Sequence, residues 1–138
     1  MQTQTFGTQL YEDKWGAIID RPAAGYLEVR WYDTTAEMSA AEFEEWLTRF
    51  AAHCESTRRP GVLIDSTNFR MDPGNLNWEW RDANITPRYN ASGVKKFAFH
   101  MPPGMPAIGK PPAPDGRADF PTAFFGRRRD ALQWLALA

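Results

Sequence analysis

The sequence predicts an α/β domain built on a mixed sheet, and three observations predict it. Residues 26–32, Tyr-Leu-Glu-Val-Arg-Trp-Tyr, alternate between two faces with period two, as a half-buried strand does. Residues 39–57 carry an apolar stripe at helical spacing. That helix ends at Arg58-Arg59-Pro60-Gly61 and runs at once into the apolar stretch Val62-Leu63-Ile64, which stops at Asp65-Ser66-Thr67-Asn68. A helix feeding a buried strand so tightly predicts a parallel crossover.

The 138 residues are read as one domain, 1–138, long enough to bury a core without staples. The opening residues Met1 to Phe6 show neither a basic nor an apolar leader region, so no signal peptide is expected. No apolar stretch approaches the roughly 20 residues that span a bilayer. A single cysteine forbids an internal disulfide and fits a reducing compartment, so the expected location is cytoplasmic. Net charge is −1, but residues 1–57 hold four basic and ten acidic side chains while residues 58–138 hold twelve and seven. Either the molecule is dipolar and pairs with a charged partner, or the two segments interleave in one sheet and their charges mix.

The elements follow in order. Phe6, Thr8 and Leu10 alternate with polar neighbours and predict a first short strand; Trp15 to Ile19 predicts a second. Arg21-Pro22-Ala23-Ala24-Gly25 is a turn, because proline presets φ and glycine permits positive φ. The alternating strand after it puts Leu27, Val29 and Trp31 on one face and Glu28 and Arg30 on the other. These opening strands are expected to be antiparallel neighbours. Ser39-Ala40-Ala41-Glu42 matches a capping box. Phe43, Trp46, Leu47, Phe50, Ala51 and Cys54 then form the helix's apolar face. Residues 75–91 read as helical, but Pro87 removes a backbone bond to Ala83 and predicts a kink or two short helices. Lys95 to Met101 is a strand with Phe97, Phe99 and Met101 on one face and His100 on the other. Residues 102–121 contain seven of the eleven prolines and three glycines, which predicts a long loop or flap. Thr122 to Phe125 is a last strand, and Arg127 to Ala138 a closing helix with Ala131, Trp134, Leu135 and Ala138 on one face.

Candidate chemistry gathers at the end of the central strand. In open α/β sheets ligands favour the carboxyl edge of the strands. Asp65, Ser66 and Asn68 sit there, and His100 ends a neighbouring strand. If those strands run parallel, Ser66, His100 and Asp65 are a candidate nucleophile, base and orienting carboxylate. The competing reading has Asp65 and Ser66 satisfying loose backbone N–H groups of the following loop. Trp78 and Trp80, two residues apart, cannot share one side of a helix; one packs inward and the other borders a groove or a subunit interface. With Met71, Met101, Met105 and the proline-rich loop they can wall an apolar pocket, or else serve core and dimer packing. Cys54 lies on the apolar stripe as a small buried hydrophobe, and His53 points off it. Two widely spaced histidines and one cysteine make no zinc cluster, and Asp115 and Asp119 are too sparse for a calcium loop, so no metal or cofactor is expected. Arg127-Arg128-Arg129 can meet a phosphate or an acidic partner, but with a pI near 6.1 nucleic-acid binding is not expected.

The order of elements resembles the STAS-like domains of the SpoIIAA-like type, bacterial relatives of anti-sigma-factor antagonists. The residues that carry the likeness are Tyr26 to Arg30, Val62 to Asp65, Lys95 to Ala98, and Phe124-Phe125 followed by Asp130 to Leu135. The resemblance implies a four- to five-stranded mixed sheet with helices packed mainly on one face. It implies in turn a cytoplasmic homodimer. Family members place a phosphorylatable serine in an Asp-Ser-Ser-Gly motif; the nearest match here, Met71-Asp72-Pro73-Gly74, has no hydroxyl at the acceptor position. The expected role is therefore a non-enzymatic binding or regulatory module engaging a protein partner or a small apolar ligand. Its expected lining is Asp65, Ser66, Asn68, Trp78, Trp80 and His100. The alternative is a small hydrolase using Ser66 and His100.

Overall fold

A computed structural model of the protein describes residues 7–137. Its strands are β1 (Thr8–Glu12), β2 (Gly16–Arg21), β3 (Tyr26–Trp31), β4 (Gly61–Asp65), β5 (Lys96–His100), β6 (Ala113–Pro114) and β7 (Pro121–Phe125). Its α-helices are α1 (Ala40–Thr57), α2 (Trp78–Asn84), α3 (Thr86–Ser92) and α4 (Arg128–Ala136). The strands form one mixed sheet in the order β1-β2-β3-β4-β5-β7-β6. β1, β2 and β3 are antiparallel neighbours, and β3, β4, β5 and β7 run parallel. Seven strands replace the four or five that the resemblance implied. Six of them were expected from the sequence; the seventh, β6, is a two-residue edge strand inside the proline-rich stretch, where Pro114 costs no ladder bond. Phe6 and Ala138, expected in the first strand and last helix, lie outside the described residues.

Alternation along the strands builds a different layer on each face. Leu27, Val29 and Trp31, with Val62, Ile64 and Phe97, meet Phe43, Trp46, Leu47 and Phe50 of α1 and Ile85 and Tyr89 around α3 in the main core. Among the described residues the opposite face is covered by α4, through Ala131, Leu132, Trp134 and Leu135 over Tyr26, Leu63 and Ala98. Ser39 caps α1 with a full capping box, its side chain accepting from the Glu42 N–H while Glu42 accepts from the Ser39 N–H. The helix stops at Arg58 in the left-handed conformation, φ 53°. Pro87 divides the next helical segment into α2 and α3, with Ile85 as the joint.

Three ion pairs stitch the acidic first half to the basic second half. Arg59 holds Asp20 at 2.8 and 2.9 Å, Arg88 holds Glu55 at 2.6 and 2.9 Å, and Arg128 holds Glu28 at 2.8 and 2.9 Å. The lopsided charge of the chain thus mixes within the fold, and Arg128 finds its acidic partner inside the molecule. No helix among the described residues is long and apolar enough to cross a membrane.

Candidate functional site

The parallel strands leave a cavity of about 860 Å³ between their carboxyl-end half and the helices that cover it. From the sheet it is lined by Val29, Trp31, Ile64, Phe97, Phe99 and Phe124. α1 contributes Phe43, Leu47 and Phe50, and α2 contributes Trp78, Arg81 and Asp82. Met71, Met101 and Met105 complete the wall with Pro73 and Pro102. The size falls in the range of small-molecule sites, and the lining is of the same kind: mostly apolar and aromatic, with few polar groups. Trp78 and Met105, 56% and 40% exposed, are apolar side chains left open to solvent on this lining.

The proline-rich stretch is less free than a flap. Asp82 Oδ1 accepts from the Arg117 N–H at 2.7 Å. Asn90 bonds the loop twice, donating to the Arg117 carbonyl at 2.9 Å and accepting from the Asp119 N–H at 2.8 Å. Ala118 and Phe120 are buried, and Phe120 stacks on Phe97 with ring centroids 5.8 Å apart. Residues 115–120 are therefore anchored to the fold, and Asp115 and Gly116 among them line the cavity. They fold this way because α2 and α3 present polar side chains to a loop whose own carbonyls and amides lack ladder partners.

The residues expected to form one site separate onto two faces. Ser66 follows Ile64 by two and lines the cavity, as does Trp78. Trp80 packs half-buried against the main core, and Asn68 is exposed. Asp65 and His100 are register partners on the other face, under α4, with Asp65 Oδ1 3.8 Å from His100 Nδ1. The expected Ser66–His100–Asp65 arrangement is not assembled, because adjacent residues at a strand end point to opposite sides of the sheet. What joins Ser66 to His100 is a backbone bond, Ser66 N–H to the His100 carbonyl at 2.9 Å. Asp65 instead ties down the loop that follows it, accepting from the Thr67 N–H at 3.1 Å and its hydroxyl at 2.7 Å. His100 Nδ1 is buried without a hydrogen-bond partner.

Two polar features escaped the reading of the sequence. Glu28 is fully buried on the α4 face and bonds three guanidinium groups: Arg128, Arg30 at 2.9 Å and Arg21 at 3.3 Å. Burial pushes its carboxyl up, but the bonds and charges of Arg128 and Arg30 outweigh that and hold it below the ordinary range. Arg81, the cation of the cavity, lies over Phe97, Trp78 and Tyr89 at 5.5, 5.8 and 5.9 Å from the ring centroids. A signal for it was present: Arg81 follows Trp78 by three, which puts the two on neighbouring positions of one helical surface. Cys54 is buried and its thiol is pushed far up by desolvation, so it is no nucleophile. Among the described residues no group of three or more His, Cys, Asp or Glu is placed to hold a metal.

Comparison with protein-family models, curated proteins and solved structures gave no match to this chain.

Proposed function

We propose that the protein is a non-enzymatic binding module of STAS-like type whose ligand is a small apolar molecule held in the cavity between sheet and helices. The observation that carries this reading is the cavity itself: about 860 Å³ of space walled by core aromatics and methionines in a chain of this size. The space opens to solvent beside Trp78 and Met105, and an apolar aromatic cleft of this size is the kind of surface that small ligands cover. The parallel run of β3, β4, β5 and β7 supports the STAS-like assignment, and the cavity's position at the carboxyl ends of those strands supports a ligand site there. A non-catalytic role is supported by the separation of Ser66 from His100 and by the inert Cys54.

Native mass spectrometry on protein purified from its own host, paired with a neutral dye, tests this. The expected result is a retained mass released on denaturation, and a fluorescence gain with N-phenyl-1-naphthylamine. Ser66→Trp, which sends an indole into the cavity from the sheet, should weaken the dye by roughly tenfold, equivalent to about 1.4 kcal/mol. An empty protein that binds no dye, or a dye affinity untouched by Ser66→Trp, would overturn the reading.

A further inference from the structure

We infer that the ligand is an organic acid, an apolar body bearing one carboxylate, with Arg81 as the group that holds the carboxylate. The inference rests on the cavity being a ligand site. Arg81 projects from α2 onto its lining with only 14% of its side chain exposed. A guanidinium carries five N–H donors in one plane and stays charged at every accessible pH. Its central carbon stands 5.5, 5.8 and 5.9 Å from the ring centroids of Phe97, Trp78 and Tyr89, contacts that spend none of the N–H donors on an acceptor. Among the described residues the side chain forms no hydrogen bond. Its one carboxylate contact within 4 Å is Asp115 Oδ2 at 3.9 Å, on a loop side chain that is 65% exposed. Arg59, Arg88 and Arg128, by contrast, each grip a carboxylate through two bonds of 2.9 Å or less.

A largely buried cation with its donors unspent, on the wall of an apolar cavity, is suited to a bidentate carboxylate. The other charged groups of the lining do not fill that role. Asp82 is engaged by Arg117, through its N–H at 2.7 Å and its Nε at 3.6 Å. Glu79 is exposed. Asp115 is the competitor: it stands off Arg81 at a distance a bound carboxylate would shorten, and its charge opposes an incoming anion.

The test uses the full chain with 1-pyrenebutyrate and its methyl ester, read by energy transfer from tryptophan to pyrene. The acid should bind the wild type roughly tenfold or more tightly than the ester, the scale of a hydrogen bond between charged groups. Arg81→Gln should abolish that preference and leave the ester within about twofold, while Arg81→Lys, which keeps the charge without the planar fork, should recover part of it. If Arg81→Gln does not fold, Asp115→Asn replaces it, and should raise the acid's affinity several-fold without affecting the ester. Equal binding of acid and ester by the wild type, or an Arg81→Gln or Asp115→Asn protein with unaltered acid affinity, overturns the anchor and leaves the cavity reading standing. Failure of both probes to bind overturns the two together.

Discussion

Glu28 shows how much a single side chain can hold in this protein. Its carboxylate has no exposed surface and is surrounded by Arg21, Arg30 and Arg128, drawn from β2, β3 and the start of α4. Removing one partner of such a buried set leaves charge uncompensated, so Glu28→Ala should cost about 3–5 kcal/mol in urea denaturation. The same group sets an acid limb. Its folded pKa lies below its unfolded value, so its contribution is fully present above the ordinary glutamate range of about 4.3 and is lost as pH falls through the folded value. Asp13 works in the same direction. Burial raises it, but bonds from the Tyr11 hydroxyl, the Trp15 N–H and the Trp46 indole bring it below the ordinary range. Glu28→Gln should therefore flatten the dependence of unfolding free energy on pH below about 4.5, where the wild type declines. The alternation of residues 26–32 assigned Glu28 to the face away from the main core, correctly. It could not tell that a helix a hundred residues later would bury that face and bring Arg128 with it.

At the scale of elements, the proline-rich stretch links the fold to the cavity. Gly116 adopts φ +56°, and a β-carbon there would lie 2.4 Å from Asp82 Oδ1. Gly116→Ala should push the loop off α2 and break the bond between Asp82 and the Arg117 N–H. Hydrogen exchange at Arg117 and Asp119 should then rise by roughly ten- to hundredfold, the scale of losing about 1–3 kcal/mol of local protection, with the strands of the sheet unaffected. Composition marked residues 102–121 as irregular, since prolines and glycines cannot form a regular ladder. Which part of the stretch is anchored depends on Asp82 and Asn90, residues of a helical segment about 30 positions earlier, and no local pattern records that pairing. The capped helix α1 is the opposite case. Its cap, its stripe and its end at Arg58 are all properties of neighbouring residues, and the buried set of Phe43, Trp46, Leu47, Phe50, Ala51 and Cys54 matches the stripe residue for residue.

Across the whole molecule, the halves of the chain depend on each other. β4, β5 and β7 extend the sheet begun by β1 to β3, and the three cross-chain ion pairs join residues 39, 33 and 100 positions apart. Cys54 sits in the core where these parts meet, 2% exposed, and reports on that cooperativity. Its thiol should resist Ellman's reagent in the native protein and react only at the rate of global unfolding, as measured independently by stopped-flow denaturation. A thiol that reacted much faster than unfolding would show that α1 opens on its own.

By itself the sequence determined the elements, because each rests on interactions between near neighbours: period-two alternation in β3, the stripe and cap of α1, the break at Pro87. It also determined the antiparallel opening and the parallel crossover into β4, while leaving open whether Trp78, Trp80 and the methionines wall a pocket or pack a core. Tertiary structure alone decided which polar residues share a site. Asp65 and Ser66 are adjacent in the chain, yet one lies beneath α4 and the other faces the cavity. Arg81 and Glu28 are two charged residues among many in the sequence, and only the packing of distant helices buries one against aromatic rings and the other among arginines. Pattern assigns a side chain to a face; what stands opposite that face is set by parts of the chain folded far from it in sequence.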